Sequence, residues 1–484
     1  MTDNRIRSVS FAAALTVMFA GTSLAASFPI GISANRRYLV DATGAPFLLQ
    51  GDTAWSLMVQ LTREQTEEYL EDRRKKGFNA ILVNLLERKY AAHPPSNVYG
   101  AQPFTTPNDF STPNAAYFAH ADWLIARAAE KGIVVVLNPC YTGYTPGGTS
   151  SGDGFLAAMI ANGPAKSRNY GRYVGNRYKG YKNIIWQAIG DMTPPPGGPA
   201  EKNWLEILAG IKEFAPTHHW TAHYLRWTTA RDVSAFAGHM TIDNNYGGNR
   251  SYIQTLRAYN RTNTMPTFVN ESYYEDTGLG DGKVGQRHLM RAQAYWAMTS
   301  GASGTIFGSD HIWPFGSPYS GPGMNQTWDW RAGMNRPPSR DMVHVLTLFL
   351  ARPWHLLVPD QSHTVVTKGY GTFGIDDRSH GGDYVTAART PSGDLVMAYV
   401  PSTGTAPRTL TVDMSKLSKA ATARWFNPTN GTYTTIAGSP LANSGPRDLT
   451  TPGNNGTGTN DWVLVLEATA TAPMPPARPR GLRR

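Results

Sequence analysis

The chain has 484 residues, 41% hydrophobic and 17% charged, with a formal charge of +10. That composition suits a globular protein with room for one barrel of about 250 residues and a smaller module, and it excludes intrinsic disorder. Part of the positive charge sits at the two ends, and the remainder is diffuse with no basic run interleaved with aromatics. Nucleic acid is therefore a poor fit, whereas the sign suits an anionic polysaccharide such as a pectin.

Arg5 and Arg7 precede the apolar run Phe11 to Ala20, and Ser23-Leu24-Ala25-Ala26 supplies small residues for cleavage. The run falls short of the about 20 residues a membrane span needs, so residues 1–26 read as a signal peptide and the chain as exported, to the periplasm or beyond. No later segment is apolar for long enough to cross a bilayer, and the mature protein is expected to be a monomer. Cys140 is the single cysteine and has no disulfide partner within the chain; a small buried packing residue is expected there in preference to a nucleophile. With no zinc-ligand pattern, phosphate loop or dinucleotide fingerprint, no metal and no cofactor is expected.

From Phe47 to Trp313, strand-like and helix-like segments alternate. Phe47 to Trp55 reads as the first strand and its exit. Thr62 caps a helix that Gly77 ends, and Phe78 to Asn84 is the second strand. Asn114 to Lys131 is amphipathic and helical, and Ile133 to Asn138 is the third strand. A helix over Tyr170 to Tyr181 leads into the fourth strand, Asn183 to Ile189. A helix over Ala200 to Phe214 precedes the fifth strand, Trp220 to Tyr224. His239 to Asp243 is the sixth strand, Thr267 to Asn270 the seventh and Gly304 to Gly308 the eighth, with helices over 251–259 and 286–298. Apolar runs of this kind suit parallel strands covered by helices, and eight repeats over this length predict a (β/α)8 barrel at residues 27–355, with a doubly wound sheet as the competing topology.

After a helix over Arg340 to Leu350 the texture changes to short alternating strands separated by turns, which predicts an antiparallel β-sandwich over 356–466. Trp425 and Phe426 followed by Asn427-Pro-Thr-Asn-Gly431 read as a hairpin. Residues 467–484 are rich in Ala, Thr, Pro and Arg and read as a disordered tail. The connector His355-Leu-Leu-Val-Pro359 is apolar, so the sandwich is expected to pack firmly on the barrel.

Two strand-like runs stop on an acid: Asn183 to Asp191 and Thr267 to Glu271. A strand end desolvates a charge, so such acids need a reason. Placed across a barrel mouth, two carboxyls can cleave a glycosidic bond, one protonating the leaving oxygen and the other attacking the anomeric carbon. Helix capping or an arginine partner is the bland alternative for either acid alone. Trp55, Tyr246 and Trp313 follow strands and could supply sugar platforms. Asp52 is the candidate for a bidentate contact to hydroxyls, and Asn138, His223 and Asn244 are weaker candidates for the same role. Asn84 belongs with these, and Glu275 is the rival carboxylate, for which a salt bridge is the readier reading.

Gly51-Asp-Thr-Ala-Trp55, Arg73-Arg-Lys-Lys-Gly-Phe-Asn79, Asn183-Ile-Ile-Trp186 with Gly190-Asp191, and Asn270-Glu-Ser-Tyr-Tyr-Glu275 together resemble the motifs of the apiosidase-like glycoside hydrolases. The resemblance covers most of residues 40 to 466 and implies a barrel followed by a sandwich that carries a collagen-binding label. It implies Asp191 as acid/base and Glu271 as nucleophile, acting on a terminal sugar of an oligo- or polysaccharide. The acid here is an aspartate after a glycine, where the wider clan has a glutamate after an asparagine, so the backbone must carry the shorter side chain inward. A retaining reaction then needs the carboxyls about 5 Å apart, and opposite pKa shifts: Asp191 raised by burial, Glu271 kept ionised by donors such as Asn270 and Tyr246. The alternatives are a secreted carbohydrate-binding or adhesion protein, and a hydrolase or lyase without a covalent intermediate.

Overall fold

The computed structural model describes residues 26–145, 152–276, 286–316, 328–375 and 381–468. The signal-peptide reading rests almost wholly on residues outside these, as does the tail beyond 468.

Eight strand positions surround the first domain: β1 Leu49–Thr53, β2 Ala80–Asn84, β3 Val134–Asn138, β4 Ile184–Ile189, β5 His219–His223, β6 Asn245–Tyr246, β7 Val269–Glu271 and β8 Gly304–Phe307. Their pairing is parallel, β5-β4-β3-β2-β1-β8-β7-β6 in order, with the two-residue strand Thr228–Thr229 added antiparallel on β6. The gap between β5 and β6 is bridged irregularly. Ile242 N donates to Trp220 O on one side, and Asp243 N and Asn245 N donate to Pro266 O and Phe268 O on the other. The result is a nearly closed barrel with a ragged sixth position.

The helices cover its outside: α1 Arg63–Lys75, α2 Ala115–Glu130, α3 Leu156–Tyr178, α4 Pro199–Phe214, α5 Tyr252–Tyr259, α6 Arg287–Thr299 and α7 Pro337–Leu350. α1 starts where the sequence requires, because Thr62 and Gln65 close a reciprocal capping box. Two expectations are corrected. The third helix begins at Leu156, well before Tyr170, and continues across a break at Gly163 and Pro164. The sixth strand lies at Asn245–Tyr246, later than His239 to Asp243, because residues 241–243 carry single bonds to neighbours on either side and no regular ladder.

The barrel interior is one apolar stack. Ile30, Leu39 and Phe47 close the bottom, Leu82, Val136, Ile185, Phe268 and Ile306 fill the middle, and Trp55, Tyr274 and Trp313 reach the top. The residues before β1 supply that plug as a small antiparallel sheet of Gly31–Ile32, Leu39–Val40 and Pro46–Phe47. With the bottom sealed, the loops that follow the strands form the open face.

The second domain packs two antiparallel sheets. One has six strands, with β9 Val358–Pro359, β11 Thr386–Arg389, β12 Leu395–Val400, β17 Trp462–Glu467, β14 Thr422–Phe426 and β15 Tyr433–Thr435 in that spatial order. The other pairs β10 Val366–Lys368, β13 Thr409–Asp413 and β16 Pro446–Thr450. Side-chain alternation along β12 assigns its two faces. Val396 and Ala398 enter the sandwich core with Leu410 and Leu449, while Met397 and Tyr399 join the core of the barrel helices. Tyr399 stacks on Tyr295 of α6 at 5.2 Å and meets Trp296 edge-on at 5.9 Å. Buried Arg291 of α6 bonds Asp341 of α7 at 2.9 Å and Asp461 of the sandwich at 2.8 Å. The connector itself contributes less than its composition suggests, since Leu356 and Val358 are exposed and only Leu357 is buried.

Candidate active site

Asp191 ends an unusual stretch of backbone. Ile189, Gly190 and Asp191 all take positive φ, at 70°, 114° and 46°. That region is sparsely populated by any L residue and least of all by a β-branched one, so each such residue stores on the order of 1–3 kcal/mol that neighbouring contacts must offset. Four hydrogen bonds hold the stretch: Asn138 Nδ2 donates to Ile189 O at 2.9 Å, Thr142 Oγ1 to Gly190 O at 2.6 Å, Thr145 N to Asp191 O at 3.1 Å, and Gly190 N to His223 O at 2.8 Å. Gly190 also leaves no room for a Cβ, which would fall 2.4 Å from Tyr141 Cδ2. This turn is how the backbone carries an aspartate inward.

Both oxygens of Asp191 are engaged. Tyr141 OH donates to Oδ2 at 2.8 Å, and His223 Nε2 lies 3.2 Å from Oδ1. Glu271, the last residue of β7, brings Oε2 to 3.0 Å from the same Nε2. This second contact is close but not aligned, since Glu271 Oε2 receives no directed hydrogen bond among the described residues. The N–H therefore points at Asp191, and Glu271 stands beside it as a charge. The nearest ligating atoms of Asp191, His223 and Glu271 all lie within 4.8 Å of one another. Three such groups have the donor types of a metal site, but an Nε2 that faces two carboxylate oxygens at hydrogen-bond distance is the geometry of a shared proton.

The electrostatics depart from the expected pattern. Burial would raise the Asp191 pKa, but the His223 hydrogen bond and charge, with help from Tyr141 and Arg226, outweigh it and hold the carboxyl below its ordinary value. Burial opposes charge on His223, yet Glu271 and Asp191 prevail and lift it to about 9. In the free protein the proton thus rests on the imidazole and not on Asp191.

The remaining candidates sort by which way their strands point them. Asp52 is corrected: it is fully buried on the helix side of β1, where its Oδ2 accepts from Tyr69 OH at 2.8 Å and Arg73 at 3.3 Å. No oxygen of it reaches the open face. Asn138 is corrected likewise, because its amide is committed to Ile189 O and Cys140 N. His223 is 1% exposed, so it faces the two acids and not a sugar hydroxyl. Asn244 is also shielded, with an Nδ2 that has no partner among the described residues. Asn84 is bonded to buried Glu87 at 3.0 Å. Glu275 pairs with Arg336 and Ser309, the salt-bridge reading.

Of the three aromatics, Trp55 and Tyr246 pack on the histidine that faces the acids. Trp55 meets His223 edge-on at 5.5 Å and donates to Tyr274 OH at 2.7 Å. Tyr246 stacks on the His223 ring at 4.6 Å, and its hydroxyl accepts from Arg226 at 3.0 Å. Trp313 is anchored to Asp310 at 3.0 Å and abuts Tyr90 at 5.1 Å. Asn270 likewise turns to His223 Nδ1, at 2.8 Å, and not to Glu271. The sequence reading missed Tyr141, Tyr274 and Arg226. The first could have been found by the signal that picked Trp55, an aromatic just past a strand's end, since Tyr141 lies three residues beyond Asn138; Arg226 carried none. Cys140 is fully buried and burial raises its thiol pKa far above the ordinary range.

Comparison with known proteins agrees with this geometry. Residues 33–355 match the family described as "Apiosidase-like, catalytic domain". The chain belongs to the apiosidase-like family. It is a glycoside hydrolase. Residues 358–467 match the family described as "Putative collagen-binding domain of a collagenase". Among solved structures, the apiosidase-like chain is similar to a glycoside hydrolase at TM-score 0.74 and 24% identity, covering 92% of this chain and 98% of that one. It is also similar to a family 5 glycoside hydrolase from Bacteroides vulgatus ATCC 8482, at TM-score 0.76 and 23% identity, covering 93% and 95%. At these identities the likeness extends to the fold. No curated protein matches the chain. Among the described residues no helix is long and apolar enough to cross a membrane.

Proposed function

We propose that this chain is an exported retaining glycosidase that removes a terminal sugar, apiose in the first instance, from a complex plant-type polysaccharide. Glu271 is the nucleophile and Asp191 the acid/base. The observation that carries this is the spacing. The nearest oxygens of the two acids lie within 4.8 Å of each other, an approach that accommodates the about 5–5.5 Å carboxyl separation of retaining sites. The side chains retain 17% and 9% exposure, enough for a substrate to reach them from the open face.

Trp55 and Trp313 supply apolar faces at the mouth on which a sugar ring can lie. A formal charge of +10 favours encounter with an anionic polymer such as a pectin. Export rests on Arg5, Arg7 and the apolar run that follows them.

The test is a panel of pectic and arabinan oligosaccharides with identification of the released sugar. Proton NMR of the first-formed anomer should show the substrate's own configuration; the opposite anomer would overturn the covalent mechanism. Asp191→Ala and Glu271→Ala should each remain folded and lose at least about 10²- to 10⁴-fold in turnover. Near-normal activity in either folded variant would remove that residue from the mechanism.

A further inference from the structure

The arrangement leaves one question open, namely where the proton comes from. A retaining glycosidase needs a protonated acid when the glycosidic bond breaks. Here the acid is held ionised by two donors, Tyr141 and His223. Of the two, only His223 can part with a proton readily, since a buried phenol with its pKa raised well above the ordinary range does not. We propose, building on the reading of Asp191 and Glu271 above, that His223 is a positioning residue that stores the catalytic proton: its Nε2–H passes to Asp191 as Asp191 protonates the leaving oxygen, and returns when water attacks.

The geometry supports each half of the cycle. In the free state Nε2–H is directed at Asp191 Oδ1, 3.2 Å away, with the Glu271 carboxylate beside it at 3.0 Å. When Glu271 attacks, Nε2 gives its proton to the Asp191 carboxylate, and as the bond from the anomeric carbon to the leaving oxygen breaks its electron pair takes that proton from Asp191. Glu271 becomes an ester, imidazolium becomes imidazole, and Asp191 remains a carboxylate. The three groups carry a net charge of −1 before and after. Esterification removes the anion that held the imidazolium, so the proton leaves His223 when it is needed. In the second step water attacks the anomeric carbon, Asp191 takes its proton and returns one to Nε2, and the restored Glu271 carboxylate again stabilises imidazolium.

The surroundings suit a ring that changes charge without moving. Tyr246 stacks on one face at 4.6 Å and Trp55 abuts the edge at 5.5 Å. Asn270 lies 2.8 Å from Nδ1, and its Oδ1 has no other partner among the described residues. A half-turn of that amide presents a donor to neutral Nδ1 or an acceptor to protonated Nδ1. The ionisable groups that face the ring are Asp191, Glu271 and Tyr246, with Arg226, Tyr141 and Tyr274 one contact further out. Arg226 is the only fixed cation in that set; it bonds Tyr246 and acts on the two carboxylates through its charge, while the hydrogen bond to Asp191 comes from His223.

Two measurements decide the proposal. In the full chain labelled with 15N-histidine, the His223 ring nitrogens, assigned by comparison with His223→Gln, should report imidazolium up to about pH 9 and deprotonate at lower pH in Glu271→Gln. A neutral His223 at pH 7 in the wild type would overturn the proposal without touching the roles of the two acids. In activity, His223→Gln should lower turnover of a methyl apioside about 10²-fold or more while a 4-nitrophenyl apioside, which needs no proton, loses less than about 10-fold. The alkaline limb of its pH profile should move to lower pH. A folded variant that loses the same factor on both substrates, with an unchanged alkaline limb, would show that His223 is structural. If neither apioside is cleaved by the wild type, the sugar assignment fails and the NMR titration still decides where the proton resides.

Discussion

Replacing Gly190 by alanine should disable the site from behind. The new Cβ would sit 2.4 Å from Tyr141 Cδ2, 2.9 Å from Cε2 and 3.0 Å from Asn138 Nδ2. Carbon atoms pack at about 3.5–4.0 Å, so the Tyr141 ring must retreat by roughly 1 Å. Its hydroxyl then leaves Asp191 Oδ2, and the turn that aims the carboxyl loses the registry that Asn138 provides. A displacement of about 1 Å near the chemistry costs on the order of 10²-fold in turnover. The φ of 114° adds strain for any side chain, about 1–3 kcal/mol. The expected result is a folded protein, melting a few degrees lower, with turnover down about 10²-fold and substrate affinity much less changed. Gly180→Ala is the control, since a Cβ there meets nothing within 4 Å. Steady-state kinetics and thermal melting on both variants make the comparison. Wild-type turnover in Gly190→Ala would refute the claim that this backbone turn positions the acid.

Other expectations follow from the same contacts. Arg291→Met leaves Asp461 buried without its cation, while Asp341 keeps Arg287, and should destabilise the fold by about 3–5 kcal/mol, read by denaturant unfolding; adding Asp461→Asn should recover much of the loss. Because His223 is raised in the fold to about 9, its contribution to stability is complete below the ordinary histidine range and fades as pH climbs to that value. The melting temperature should therefore decline more steeply between neutral pH and about 9 in the wild type than in His223→Gln. Cys140 should resist thiol reagents until the chain unfolds, and Cys140→Ala should stay active; rapid labelling of the native protein would contradict its burial. A fragment of residues 27–354 should be insoluble or inactive, because it exposes the face of α6 that Tyr399 and Asp461 cover. A soluble, fully active fragment would show the domains to be separable.

Much of the architecture was legible in the sequence because it is written in local patterns. Runs such as Val134 to Asn138 and Ile184 to Ile189 are apolar at every position because a parallel strand is covered on both faces, and Thr62 with Gln65 marks a helix start by chemistry confined to one turn. The same locality made Asp191 and Glu271 conspicuous, each an acid at the end of such a run. Direction was not legible. Asp52 and Trp55 lie three residues apart on one exit, yet one faces Arg73 among the helices and the other faces the acids. Nor could the sequence place a proton. Burial alone would raise Asp191, and the approach of His223 from the next strand, itself kept charged in part by Glu271 from the far side of the barrel, reverses the sign together with Tyr141 and Arg226. A segment's secondary structure depends on neighbours along the chain, but the charge state of a buried group depends on whatever lies within a few ångströms, and in a closed barrel those atoms come from strands that are distant in sequence.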